Sequence, residues 1–161
     1  MTTANIVLII TCFTLILLVG TFLGFASPAR RVLQRLPDRE YLQTMSSRKK
    51  FFIPLLVLPI VLLPVTAYAS LPEGQLSVLF VLVATGVYVI GTVGATVGTA
   101  LQRRKIARMN VSEATAKEVY QTRVQFEKRW NRWNLFRTLS TMVTVLLILV
   151  SAVSGFKFNV N

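Results

Sequence analysis

The fold is decided by an almost uncharged stretch, residues 51–102, which reads FFIPLLVLPIVLLPVTAYASLPEGQLSVLFVLVATGVYVIGTVGATVGTALQ. Its one charged residue is Glu73, which lies in the turn signal Pro-Glu-Gly at 72–74. The apolar run on either side of this turn suits a membrane span, which takes about 20 helical residues. Helices are the expected form, because lipid offers no hydrogen-bond partner to an unpaired backbone group. The stretch therefore predicts a helical hairpin with spans at about 51–71 and 76–101.

Two further uncharged stretches, nearer the ends of the chain, predict spans at about 6–26 and 135–155. We expect the first to be a retained helix rather than a cleaved signal peptide, because no basic residue precedes its long apolar run. Apolar residues make up 53% of the chain and charged residues 15%, a balance typical of membrane proteins. The fold prediction is all-α: one membrane domain, 1–161, that forms an antiparallel four-helix transmembrane bundle.

The charged residues orient this bundle in the membrane. Lysine and arginine outnumber the acidic residues by 18 to 6, and nearly all of them lie in loops at about 27–50 and 102–134. Basic loops favour the cytoplasmic side, so we predict an inner (plasma) membrane protein with both termini outside. The same distribution predicts contact with anionic membrane lipids and no nucleic-acid partner, because the basic residues border apolar spans. Other membrane subunits, or further copies of the chain, are the remaining partners that the sequence allows.

Two absences limit the chemistry of the chain. The only cysteine is Cys12, which excludes an internal disulfide and a CxxC redox pair. The sequence has no histidine, which removes bis-histidine haem, the usual di-iron sites and most zinc sites, together with the commonest general base. We therefore expect neither a metal nor another cofactor.

The second loop is predicted to be helical. Ser112 is a plausible N-cap, and large apolar side chains recur after it at helical spacing. They are Val119, Phe126, Trp130 and Trp133. We expect one helix from about Ser112 through the last span, so that the last helix extends into the cytoplasm.

Prolines mark the first loop and the second span. Pro28 and Pro37 work against a continuous helix in the loop, where a short amphipathic piece at about 38–45 is expected at the membrane interface. In the second span, prolines either curve the helix around the bundle or open room for a ligand. These are Pro54, Pro59 and Pro64.

Small residues line one side of the third span. Gly94 pairs with Gly98, and Gly91 pairs with Ala95, each at a spacing of four residues. Such pairs let helix backbones approach closely, which predicts a face that is buried against other helices. A flat ligand cavity or a subunit contact is the alternative interpretation of this face.

The segment that opens the last span, 126–138, reads FEKRWNRWNLFRT. Four of its side chains share one helix face, because three, four and seven residues separate them. They are Trp130, Trp133, Asn134 and Arg137. One interpretation is an interfacial aromatic belt with an arginine that reaches the headgroups. The other is that Asn134 and Arg137 turn inward and bind an anionic or phenolic ligand.

This segment resembles the anthrone oxygenase-like family of small four-helix membrane proteins, which is mostly uncharacterised. Members carry a W-x-x-W-N-x-x-R-T-like segment at the start of the last span, matched here at 130–138. Their first span contains glycine and leads into a basic loop with proline, similar to Gly20, Gly24 and the LPDR at 36–39. The chain departs from the family at 98–102, which reads GTALQ where members often carry an Asn-x-Pro-x-Asn-like motif.

The resemblance implies a function. Characterised relatives look like cofactor-independent oxygenases that turn an anthrone into an anthraquinone, so the chain is expected to bind a flat aromatic or quinone-like molecule. By this resemblance Arg137 and Asn134 are the catalytic candidates, as stabilisers of an enolate oxygen. The ligand-binding candidates are Trp130, Trp133, Tyr88 and Tyr68. The alternative function is a non-catalytic accessory subunit of a larger membrane complex, and a transporter is less favoured because no charged residue lies at mid-span.

Overall fold

The computed structural model describes residues 3–26, 32–47, 53–109, 111 and 113–155. The regular elements in these ranges are all helical, without a strand, so the all-α prediction is confirmed. The α-helices are α1 (Thr3–Ala26), α2 (Asp38–Ser47), α3 (Ile53–Ala69), α4 (Gln75–Val87), α5 (Gly94–Arg108) and α6 (Ala116–Gly155). A 3-10 turn, Leu71–Glu73, connects α3 to α4, and a π-helical turn, Tyr88–Val93, connects α4 to α5.

Three helical stretches are long and apolar enough to cross a membrane. They are Ala4–Gly24, Gln75–Arg108 and Ala116–Ser154. The α3 helix is also apolar but shorter, at 17 residues, and the first two residues of the span predicted there lie outside the described part of the chain. The chain therefore has the long apolar helices of a membrane protein.

Apolar side chains cover the outer surface of these helices, while hydroxyl groups are among the side chains buried between the helices. On α1, for example, Phe13 and Ile16 are exposed, whereas Thr11 and Thr14 are buried. This distribution reverses that of a water-soluble domain and suits a surface in contact with lipid. The helices meet in an apolar core, which we call the span core, formed by Leu15, Leu18, Phe22, Leu63, Ala67, Val81, Ala84, Tyr88 and Ile148.

Pairs of hydroxyl groups join neighbouring helices beside the span core. The paired oxygens are those of Thr11 and Thr66 at 2.8 Å, Ser77 and Ser151 at 2.7 Å, and Thr92 and Thr141 at 2.9 Å. Hydrogen bonds of this kind between membrane helices contribute about 0.6 kcal/mol each. The last two pairs also show that α4 and the π turn run in the direction opposite to α6.

The turn between α3 and α4 has the form that Pro-Glu-Gly predicts. The 3-10 turn Leu71–Glu73 is followed by Gly74, whose backbone φ of 126° is rarely adopted by residues other than glycine. The two arms of the hairpin meet further on, where the Tyr88 hydroxyl donates a hydrogen bond to the Leu56 carbonyl at 2.7 Å. The predicted turn is therefore confirmed.

The small-residue face of the third predicted span is buried only in part. A Cβ on Gly91 would overlap the side chain of Ser140 on α6, and one on Gly98 would lie 3.0 Å from the Trp133 ring. Gly94 is exposed, and a Cβ there would have room. The prediction that Gly94 is buried is therefore wrong. Gly91 and Gly98 are the glycines that contact α6, and Gly94 lies beside that contact.

The α6 helix begins at Ala116, slightly later than predicted. Thr115 and Glu118 form a capping box: the Thr115 N–H donates to a Glu118 carboxylate oxygen at 2.9 Å, and the Glu118 N–H donates to the Thr115 hydroxyl at 3.4 Å. Ser112, the predicted N-cap, lies outside the described residues. From Ala116 the helix runs without interruption to Gly155, a length of about 60 Å. The prediction of one continuous helix into the last span is confirmed.

A second apolar core, which we call the loop core, lies where α2 packs against the end of α5 and the start of α6. It is formed by Leu33, Tyr41, Leu42, Met45, Ile106, Val111, Val119, Phe126 and Trp130. The amphipathic piece expected at 38–45 is present as α2, but its apolar side chains are buried against protein rather than turned to the membrane interface. The reason is that α5 and α6 continue beyond their apolar stretches and offer it an apolar partner.

Arg123 of α6 links the first loop to the loop core through hydrogen bonds and ion pairs. Its guanidinium donates to the Asp38 carboxylate at 2.6 Å, the Leu36 carbonyl at 2.7 Å, the Gln34 carbonyl at 3.0 Å and the Glu127 carboxylate at 3.0 Å. Its Cζ atom also lies 4.5 Å from the centroid of the Tyr41 ring. One side chain thus connects the first loop, α2 and α6.

Candidate functional site

The catalytic candidates lie on the buried face of α6. Buried positions on this helix recur every three or four residues, as at Trp130, Asn134 and Arg137. Arg137 is only 8% exposed, and its Nη2 atom donates to Asn134 Oδ1 at 2.6 Å. Side chains on a helix lean toward its N-terminus, so the Arg137 guanidinium reaches back toward Trp130. The structure thus brings these three residues together in the protein interior.

Aromatic rings flank the Arg137 guanidinium. Its Cζ atom lies 4.2 Å from the ring centroid of Phe22 on α1 and 5.9 Å from that of Trp130. The Cζ atom of Arg103 lies 4.7 Å from the same Trp130 ring, and Phe126 stacks on that ring at 5.8 Å. Because Phe22 belongs to the span core and Trp130 to the loop core, Arg137 lies where the two cores meet.

Arg137 forms no salt bridge with any acidic side chain that the structure describes. Both salt bridges in the described ranges are made by Arg123, with Asp38 and Glu127. Asn134 supplies only a neutral amide oxygen, and the Nε atom of Arg137 is buried without a hydrogen-bond partner among the described residues. A buried charge without an opposite charge is costly. An anionic group at this position would therefore be strongly stabilised.

Two other predicted residues contact the helices around this cluster. The Trp133 ring packs on Gly98 and meets the Phe136 ring edge-on, with 6.3 Å between the centroids. Tyr88 is fully buried in the π turn, an element that is frequent at functional sites, but its hydroxyl donates to the Leu56 carbonyl. The Trp133 ring therefore lies in the contact between α5 and α6, and the Tyr88 hydroxyl links the two arms of the hairpin.

A match to a protein-family model supports the resemblance that was based on these residues. The model, described as anthrone oxygenase, matches residues 42–147, which is well over half of the chain. The chain belongs to the anthrone oxygenase family. The match runs from α2 into α6 and includes Trp130, Asn134 and Arg137, while Phe22 lies before it. Neither a curated protein nor a solved structure matches the chain.

The range matched to the anthrone oxygenase family also holds a residue that the sequence analysis missed, Gln102 of α5. Its Oε1 atom is buried and accepts no hydrogen bond from the described part of the chain. One turn before it, Gly98 packs on Trp133, and one turn after it, Ile106 lies in the loop core with Trp130. The available signal was an amide side chain at the end of a span.

Tyr68 lies far from the cluster in this anthrone oxygenase family member. It is 78% exposed, at the end of α3 beside the 3-10 turn. The Ser77–Ser151 pair lies at that same end, and Ser151 is about 20 Å from Arg137 along α6. The structure therefore does not bring Tyr68 and Arg137 together.

The chemistry available at this site is that of hydrogen bonding and charge. Within the described ranges, no group of three or more His, Cys, Asp or Glu side chains comes together. The guanidinium of Arg137 and the amide of Asn134 meet at the site, between aromatic rings. Such an arrangement can hold a negatively charged oxygen beside a flat ring.

Proposed function

We propose that this chain crosses the inner (plasma) membrane four times as an antiparallel bundle, with both termini outside and α6 extended into the cytoplasm. The apolar outer surfaces, the α3–α4 hairpin and the basic residues at the end of α5 and in the first part of α6 support this topology. Reporter fusions at Asn161 and near Lys105 test it. Activity at Asn161 from a reporter that works only in the cytoplasm would contradict the proposed orientation.

We further propose that the site binds a flat aromatic or quinone-like molecule through an acidic oxygen held by Arg137, as expected of an anthrone oxygenase. The observation that carries this proposal is the buried Arg137 guanidinium, which has aromatic neighbours and no carboxylate partner among the described residues. An enolate or phenolate would supply the missing charge, and its ring would lie against Phe22 or Trp130.

The proposed reaction is the oxidation of an anthrone by dioxygen. The anthrone loses a proton from its methylene carbon to solvent, and the enolate that remains donates electrons to dioxygen. The two methylene hydrogens leave as water with one oxygen atom, while the other oxygen atom becomes the new carbonyl of the anthraquinone. The contribution of Arg137 is to stabilise the charge on the enolate oxygen, which makes loss of the first proton easier.

Asn134 would orient the guanidinium in this scheme. Its Oδ1 atom accepts a hydrogen bond from the Nη2 atom of Arg137 and so limits how the arginine side chain can rotate. The Thr138 hydroxyl donates to the backbone carbonyl of Asn134 at 2.8 Å. A donor that is held in place before the ligand binds costs less to organise during the reaction.

Binding of anthrone to the purified protein tests the role of Arg137. Arg137→Lys keeps the charge but loses the planar fork, so we expect affinity about tenfold weaker than wild type. Arg137→Gln removes the charge and should weaken binding by about 100-fold. The matched control is Arg132→Gln, the same change at an exposed position of α6, which should bind like wild type. Thermal unfolding of each variant establishes that the fold is retained.

Each outcome of this experiment separates one hypothesis from another. If wild type binds no anthrone, the ligand proposal fails and the accessory-subunit alternative is favoured. If wild type and both Arg137 variants bind equally, a ligand site remains but Arg137 is not part of it. Turnover is measured separately, as dioxygen consumption with appearance of anthraquinone, and binding without turnover would make the protein a binder rather than an enzyme.

A further inference from the structure

We infer that Gln102 accepts a hydrogen bond from the ligand, so that the preferred ligand is a flat aromatic with a hydroxyl group in addition to the acidic oxygen held by Arg137. This inference rests on the proposed function and narrows the class of molecule that the site takes. It assigns to Gln102 the role of a specificity-determining residue in the same site.

Two buried polar atoms of opposite character support this role. The Oε1 atom of Gln102 is an acceptor, and the Nε atom of Arg137 is a donor, and neither has a hydrogen-bond partner among the described residues. Buried polar atoms are nearly always paired in folded proteins, and each exception calls for a specific explanation. One molecule that carries both a hydroxyl donor and an anionic oxygen would pair both atoms.

The helix geometry brings these two side chains toward the same level. The α5 and α6 helices are antiparallel, because Gly91 lies against Ser140 and Gly98 lies against Trp133. Helical side chains lean toward the N-terminus of their own helix. Gln102 therefore leans toward the level of Gly98 and Trp133, while Arg137 leans toward the same level from the other side.

The surroundings of Gln102 are those of a protein interior rather than of a lipid-facing surface. Its neighbour Arg103 lies over Trp130, and Ile106, one turn further, is buried in the loop core. Leu101, on the other side of the helix, is exposed. An amide oxygen in contact with solvent would need no explanation, but the Oε1 atom of Gln102 is buried and has no hydrogen-bond partner among the described residues.

Three ligands and two variants test the inference by direct binding. The ligands are an unsubstituted anthrone, the same ring with a hydroxyl group, and the methyl ether of that hydroxyl. Wild type should bind the hydroxyl compound about tenfold more tightly than either of the others, the factor expected for one neutral hydrogen bond. Gln102→Met keeps the side-chain length but removes the acceptor, so it should bind all three ligands alike. The matched control, Gln125→Met, makes the same change at an exposed position and should keep the wild-type preference.

The outcomes distinguish this inference from the proposed function. A wild type that shows no preference for the hydroxyl compound overturns the role of Gln102 without any variant. A preference that persists in Gln102→Met overturns it as well. In both cases, the proposed function would still be supported if unsubstituted anthrone binds and its binding depends on Arg137. If no anthrone binds at all, the proposed function itself is contradicted. The temperature of thermal unfolding should not fall in Gln102→Met, because the substitution removes a buried acceptor that has no partner among the described residues.

Discussion

Arg123 and Arg137 lie about four turns apart on α6, in opposite surroundings. Arg123 contacts two carboxylates, those of Asp38 and Glu127, together with two carbonyl groups of the first loop. Arg137 is buried more deeply, yet its polar contact is one amide oxygen, and an aromatic ring lies beside it. Among the described residues, one helix therefore carries one arginine whose charge is balanced by carboxylates and one whose charge is not.

The difference teaches which arginine has a structural role. The contacts of Arg123 join segments that are distant in sequence, so removing its guanidinium separates them. The contacts of Arg137 within the chain are few, and replacing a buried ion by an uncharged side chain is often neutral or stabilising. We therefore expect Arg123 to matter for stability and Arg137 to matter for binding, and the following experiments test that contrast in order of expected size.

The largest effect is expected from Arg123→Met. Methionine keeps the alkyl stem but removes the guanidinium that holds Asp38 and the first loop. Loss of this partly buried, hydrogen-bonded ion pair should cost about 2–3 kcal/mol of local stability. Hydrogen exchange of the amides in α2 should then become about 100-fold faster, because 2.7 kcal/mol corresponds to that factor.

Two comparison variants show whether this effect is specific. Arg129→Met makes the same change at an exposed position of α6 and should leave exchange in α2 unchanged. Arg137→Gln should also leave it nearly unchanged, although we expect this variant to bind the ligand about 100-fold more weakly. If Arg137→Gln loosens α2 as much as Arg123→Met does, the two arginines share one structural role and the contrast between them is wrong.

A smaller effect is expected from Gly91→Ala in the span region. A Cβ on Gly91 would overlap the Ser140 side chain, including its Cβ, so rotation of the hydroxyl cannot relieve the clash. Overpacking of this kind costs roughly 1–3 kcal/mol, and we expect a lower midpoint of thermal unfolding in detergent. Exchange in α2 should change little, because this contact lies outside the loop core.

Gly94→Ala is the matched control for this prediction. The change is identical, it lies in the same stretch of helix, and the new methyl group has room. Its unfolding midpoint should equal that of wild type or rise slightly, since alanine favours the helix. Equal destabilisation by the two substitutions would mean that helix propensity or lipid contact, rather than the approach of Gly91 to Ser140, governs this face.

Much of the fold follows from local patterns in the sequence. The Pro-Glu-Gly signal predicts the turn at Gly74, and the absence of proline and glycine from 116 to 154 predicts the continuous α6 helix. The position of α2 did not follow, because an amphipathic segment can bury its apolar face against lipid or against protein. The same limit explains Gly94, since a spacing of four residues identifies a helix face but not the helix that contacts it.

The candidate site was predictable to a similar degree. The spacing of Trp130, Asn134 and Arg137 placed them on one face, and the structure brings them together in the interior. Phe22 did not stand out, because nothing in its own segment distinguishes it from other residues of a span. Gln102 offered only the weak signal of an amide side chain at the end of a span. Their importance comes from the contacts of α1 and α5 with α6.

By itself, the sequence determined the helical class, the apolar stretches, the turn and the residues that share a face on α6. These are local properties, since hydrophobicity, backbone preference and the helical repeat act over one or two turns of chain. Only the tertiary structure decided that Arg137 lies beside Phe22 without a carboxylate among the described residues, and that the Gln102 acceptor is buried without a hydrogen-bond partner among them. Such contacts depend on the register and rotation of helices that are distant in the chain, and packing of whole helix surfaces sets both.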